Sequence, residues 1–174
     1  MKFLLPSFFC IALFFSACEQ QKPFDPEVWY NTNKEIILRQ ASQPTDSVER
    51  RNWGNEVPER EFFYRKGKLV RETRYRDTGV MAIEKFYSND GHYELRREFC
   101  RDGSVSFEGI FYKNFGYGLS TWWGCGVPTQ ERGVRVKDKK VGNWLTIDTK
   151  GVQGRTEYGN EEQLEILKGM SVPE

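Results

Sequence analysis

From Glu61 to Gly159 short runs mixing apolar and charged residues are broken by turn-forming clusters, and the breaks are periodic. Gly67, Gly79, Gly91 and Gly103 follow one another at intervals of 12 residues. Eight positions after each glycine stands an aromatic residue: Tyr75, Tyr87, Phe99, Phe111. Five after each stands a charge (Glu72, Glu84, Arg96, Glu108), and two after each an apolar residue (Leu69, Met81, Tyr93, Val105). A period this short fits one strand and one turn, not a helical hairpin. The residues ahead of each glycine, such as Asp77-Thr78 and Asn89-Asp90, are turn formers, and glycine supplies the positive φ they need.

The faces decide the loop length. A three-residue loop, Asp77-Thr78-Gly79, pairs Arg76 with Val80, Tyr75 with Met81 and Thr73 with Ile83, which puts both apolar sets on one face. The same rule pairs Phe99 with Val105 and Arg97 with Phe107. Each loop is then a type I turn closed by a glycine bulge, and the whole is an all-β antiparallel meander of stacked hairpins. On the other face Glu72, Glu84, Arg96 and Glu108 fall in one row straight across the sheet, with Arg96 between two glutamates and Glu72 beside Glu84. The pattern loosens through Phe115-Gly116, Gly118 and Trp122-Trp123, then resumes at Gly126, Gly142-Asn143-Trp144 and Lys150-Gly151, for roughly eight strands in all.

Tyr64-Arg65-Lys66-Gly67, Phe111-Tyr112-Lys113-Asn114 with Gly116, and Gly142-Asn143-Trp144 resemble the variant MORN repeat of bacterial YwqK-like antitoxin-component proteins. The resemblance covers about residues 61–159, with two of the 12-residue units making one MORN unit of about 23. It implies a sheet of stacked hairpins and supplies no catalytic residues.

No glycine occurs from Met1 to Trp53, so the repeat region has a clear start. Met1-Lys2, an apolar run to Phe15 and Ser16-Ala17 read as a signal peptide over residues 1–17. Phe15-Ser16-Ala17-Cys18 resembles the bacterial lipoprotein box, which implies that Cys18 is lipidated and becomes the N-terminus. Residues 18–60 then form an anchored tether and an N-terminal cap. Asp25-Pro26-Glu27 looks like a helix start, while Ile36-Ile37-Leu38 fits a helix or a strand. At the other end, residues 160–174 read as a capping helix and tail: Asn160 as N-cap, Glu161 and Glu162 in the first turn, Leu164, Ile166 and Leu167 as the apolar side, Gly169 as the stop.

These readings place the protein on the outer side of a membrane in the bacterial cell envelope, where disulfides persist. Only Cys100 and Cys125 remain as thiols after processing. They sit two strand steps apart on the repeat map, about 10 Å at ~4.8 Å per step, whereas a disulfide wants less than about 7 Å. The regular meander therefore predicts two unbridged thiols, and only a bend between Phe115 and Gly126 brings them together.

Charge narrows the partners. Removal of residues 1–17 takes away Lys2 and no acid, leaving acids and bases equal in number, so nucleic acid is not an expected partner. One histidine, His92 beside a turn glycine, rules out His-rich metal sites and suits an exposed turn. No metal, cofactor or catalytic residue is expected. In Trp122-Trp123 one indole faces the core and its neighbour faces away, where with Tyr117 it offers an aromatic platform. The candidate binding surface is therefore Trp122, Trp123, Tyr117 and the row Glu72, Glu84, Arg96, Glu108. The expected function is a non-enzymatic envelope lipoprotein whose sheet binds a protein or a glycan. Immunity against an envelope-directed toxin is one alternative, and glycan hydrolysis by paired carboxylates is another.

Overall fold

A computed structural model of the chain describes residues 23–54 and 56–174; the signal peptide and Cys18 lie outside the described residues. Helix α1 (Pro26–Ala41) comes first, then ten strands: β1 (Ser47–Asn52), β2 (Pro58–Arg65), β3 (Lys68–Tyr75), β4 (Met81–Tyr87), β5 (Tyr93–Phe99), β6 (Val105–Tyr112), β7 (Phe115–Trp123), β8 (Gln130–Val136), β9 (Lys139–Ile147) and β10 (Gln153–Glu157). A 3₁₀ turn (Glu161–Gln163) and helix α2 (Leu164–Lys168) close the chain. The ten strands form one antiparallel sheet in sequence order. The expected all-β meander is the fold.

The turns differ along the sheet, and two depart from the expected three-residue loop: Gly67 closes a two-residue turn, and Gly91 lies in a four-residue loop between Ser88 and Tyr93. At one end of the sheet β2–β3, β6–β7 and β8–β9 are joined by two-residue turns with positive φ at Lys66, Lys113, Asn114, Lys137 and Asp138, the type I′ geometry whose twist matches a hairpin. At the opposite end the three-residue loops close on themselves: Gly79 N–H donates to the Arg76 carbonyl and Arg76 N–H to that of Val80. Cys100 to Ser104 and Asp148 to Val152 repeat the pattern. The turn glycines Gly67, Gly79, Gly91 and Gly103 have φ of 72°, 79°, 74° and 85°.

One pair beyond two of these loops the expected register fails. Tyr75 pairs with Met81 and Phe99 with Val105, but Thr73 then faces Glu84 instead of Ile83, and Arg97 faces Glu108 instead of Phe107. Ala82 and Ser106 are the extra residues, each making a one-residue bulge. A slip of one residue exchanges the faces of everything beyond it. The aromatic column therefore splits: Tyr75 and Phe99 lie on the face that carries α1, Tyr87 and Phe111 on the other. The acid row splits as well. Glu84 and Glu108 flank Arg97, not Arg96, while Glu72 pairs with Lys85 and Arg96 with Gly109.

Helix α1 begins as the sequence suggests, with the Asp25 carboxylate accepting from the Glu27 and Val28 N–H groups and Pro26 in the first turn. It continues through Ile36-Ile37-Leu38, so that segment is helix and not strand. Its buried side is Trp29, Tyr30, Asn33, Ile37, Gln40 and Ala41, laid on Leu95, Ile110, Tyr117 and Val136 of the sheet. The two polar members are satisfied by distant chain: Asn33 accepts from the Val172 N–H, and Gln40 donates to the Pro173 carbonyl and accepts from the Asn89 N–H. Leu167 of α2 is fully buried in the same core, whereas Ile166 is exposed. Asn160 does not cap α2; it takes a left-handed conformation and its amide donates to the Tyr158 carbonyl.

Cys100 and Cys125 are joined in a disulfide with Cα atoms 5.5 Å apart, which overturns the expectation of free thiols. The regular meander breaks where the bend was needed. Opposite β6, residues Gly118 and Leu119 are extra between the Gly109–Ser120 and Ile110–Tyr117 pairs, and the loop after β7 is longer than its neighbours at that end.

Candidate functional site

The seven residues expected to form one binding surface do not meet. Tyr117 is buried beneath α1 against Tyr112. Glu72 and Arg96 lie on the face away from α1. There the Glu72 carboxylate accepts from Arg74 and from the Tyr87 hydroxyl, and Arg96 donates to Glu94 while covering the Phe111 ring at 4.0 Å. Burial pushes the Glu72 carboxyl up, but the hydrogen bonds and charge of Arg74 outweigh it and hold it below the usual range. These pairs engage the Glu72 and Glu94 carboxylates in ion pairs on that face.

On the α1 face, Glu108 is the hub of a polar network. It accepts from Tyr30 (2.7 Å), Lys34 (2.6 Å) and Arg97 (2.8 Å), tying the helix to the sheet. Arg97 also lies 3.9 Å from Glu84. The two carboxyls respond in opposite directions. Burial raises Glu84, and the charges of Arg97 and Arg71 offset only part of that. Burial also opposes ionisation of Glu108, but its three hydrogen-bond donors prevail and hold it low.

A depressed folded-state value means that Glu108 stabilises the fold above the ordinary glutamate pKa and ceases to as pH falls through its own. Glu84, with a raised value, opposes folding when ionised. Glu108→Gln is therefore expected to cost about 2–3 kcal/mol at neutral pH, with the deficit closing in acid as the parent's Glu108 is protonated. Glu84→Gln should be neutral or stabilising by less than about 1 kcal/mol. Urea unfolding of both variants at pH 7 and in acid measures this; a destabilising Glu84→Gln would show that Glu84 is firmly paired.

The two tryptophans divide as strand geometry requires. Trp122 lies on the face away from α1, against Phe107 (ring centroids 4.8 Å) and stacked on Trp144 (5.8 Å). Trp123 points to the opposite face and is 37% exposed. At the looped end of the sheet Trp123 borders a cavity of 390 Å³ lined also by Ser104, Val105, Thr129, Gln130 and Ile147. A second hollow of 370 Å³ shares Trp123, Thr129, Gln130 and Ile147 and extends toward Trp122 and Glu131. Glu131 is held by Lys140. The disulfide joins the end of β5 to the loop that supplies one wall. Sequence reasoning marked Trp123 but missed Thr129 and Gln130, which the 124–129 loop and the Trp123–Gln130 pair bring beside it, and Ile147, which pairs with Gln130 across 17 residues.

Elsewhere, His92 is exposed in its turn, and the Asp90 side chain of the same turn accepts from the Ser88 hydroxyl and the His92 N–H. Among the described residues no group of three or more His, Cys, Asp or Glu is arranged to hold a metal ion, and no helix is long and apolar enough to cross a membrane. Comparison of the chain with protein-family models, with curated proteins and with solved structures returns no match in any of the three.

Proposed function

We propose that this chain is a non-enzymatic binding lipoprotein of the bacterial envelope, anchored through Cys18 and presenting the looped end of its sheet to a ligand. The Cys100–Cys125 disulfide carries the reading. Such a bridge survives in oxidising compartments, which agrees with export, and it ties together two loops at the end where Trp123 is exposed. The variant MORN resemblance adds a scaffold role in which turns and loops carry recognition and the sheet carries rigidity.

A second reading, carboxylate-based glycan hydrolysis, draws support from Glu84 and Glu108, one carboxyl raised and the other held low on one face. Against it, the Arg97 guanidinium stands between them and Glu108 is held by three donors. Binding is the stronger reading.

Cys18→Ser tests the anchor. The variant should leave the membrane fraction or accumulate uncut, while the parent carries acyl mass on Cys18 and a Cys100–Cys125 cross-linked peptide in non-reducing mass mapping. Normal processing without acyl mass on Cys18 would refute the lipoprotein reading.

A further inference from the structure

The lining of the Trp123 cavity is unusual for this chain. Charged residues make up 29% of the sequence, yet Ser104, Val105, Trp123, Gly124, Val127, Pro128, Thr129, Gln130 and Ile147 include none. The site is a groove of half-buried and exposed residues, and without charge it offers an ionic ligand no partner for the group it would partly desolvate. What remains is one partly exposed indole, a few aliphatic side chains, and neutral hydrogen-bonding groups. The side chains of Thr129 and Gln130 make no hydrogen bond within the described protein, and Ser104 spends only its donor, on Asp102. The amide of Gln130 thus keeps both donor and acceptor free at the rim of an aromatic surface.

We propose that this cavity binds a neutral saccharide, with the apolar C–H face of a pyranose ring on the Trp123 indole and ring hydroxyls bonded to Gln130, Thr129 and Ser104. A pyranose matches the site because it is uncharged, has one apolar face, and carries donors and acceptors around its edge. The cavity volume is in the range of small-ligand pockets, at the low end of about 300–1,000 Å³. The adjoining hollow that shares Trp123 gives room for a second ring. An apolar peptide side chain would leave the amide and hydroxyls of the rim without partners on binding, which is costly. The disulfide holds the Cys100–Ser104 loop against the 124–129 loop, so the two walls keep their spacing before ligand arrives, and such preorganisation lowers the cost of binding. This assignment names the ligand class of the binding function proposed above and rests on it.

The test uses the full-length protein in detergent. Maltotriose, cellotriose and triacetylchitotriose are titrated while tryptophan fluorescence and saturation-transfer NMR are recorded, with an uncharged apolar tripeptide as the competing probe. At least one trisaccharide should bind, with strongest transfer from the C–H protons of one ring face. Trp123→Ala should weaken that binding at least about tenfold. Gln130→Ala, at a half-buried strand position whose side chain makes no hydrogen bond within the described protein, should weaken it by a smaller factor with an unchanged melting curve. Reduction of the disulfide should weaken it too. The proposal is overturned if no trisaccharide binds, if binding is indifferent to both variants, or if the apolar tripeptide binds more tightly. Failure of all three sugars in a protein that is acylated and bridged removes the saccharide assignment alone. Cleavage of a bound trisaccharide during the titration would keep the site and overturn the non-enzymatic reading.

Discussion

Replacing Trp144 by alanine is expected to cost about 3–5 kcal/mol, the largest effect of any single truncation here. The indole is fully buried although it lies on the face that carries no helix. It is buried by its own neighbours. Trp122 stacks on one side, Tyr158 meets it edge-on, Lys140 lies 4.5 Å from its ring centroid, and its N–H donates to the Val134 carbonyl. The floor beneath it is Gly133, where an added Cβ would overlap the ring. Three residues of β9, Gly142 to Trp144, stand between the partners of Arg132 and Val134, and this local widening lets the indole fold back across β8. Gly133→Val should therefore be as damaging as the truncation, for the opposite reason: excess volume in place of a void. Chemical unfolding followed by far-ultraviolet circular dichroism measures both. A Trp144→Ala protein within about 1 kcal/mol of the parent would mean that the ring is packed far more loosely than its burial implies.

Loss of the disulfide is the second large effect. The bridge closes a loop of 25 residues in sequence separation, and restricting the unfolded chain over that length is worth roughly 3 kcal/mol. The double variant Cys100→Ser with Cys125→Ser, and the reduced parent, should unfold at correspondingly lower denaturant. They should also lose the Trp123 cavity before they lose the sheet, because the loop from Gly124 to Thr129 is held otherwise by one backbone hydrogen bond, from the Gly124 N–H to the Thr129 carbonyl. Matching unfolding curves in oxidising and reducing buffer would show that the loop keeps its place without the bridge.

How much was legible beforehand depends on whether the physics was local. A glycine every 12 residues, preceded by turn formers, requires hairpins because few residues other than glycine accept the left-handed backbone at the end of a three-residue loop. The N-terminus of α1 was equally readable, since a capping carboxylate followed by proline acts within four residues. The length of α1 was not. Asn33 and Gln40 blur its apolar stripe, and their burial is tolerable only because Val172, Pro173 and Asn89 supply partners from far along the chain.

By itself, then, the sequence determined the class of fold, the antiparallel order of the strands and the places where the chain turns, because each of these follows from short-range periodicity and turn chemistry. The tertiary structure alone decided which residues share a face. One extra residue, Ala82 or Ser106, costs little locally yet moves every side chain beyond it to the other side of the sheet, so a row of four charges became two separate sets. It alone decided that Cys100 and Cys125 meet, through two surplus residues on β7 that no 12-residue period contains. And it alone assembled the uncharged cavity at Trp123, whose walls come from β6, β7, β8, β9 and two loops, and which exists only after the register between them is set.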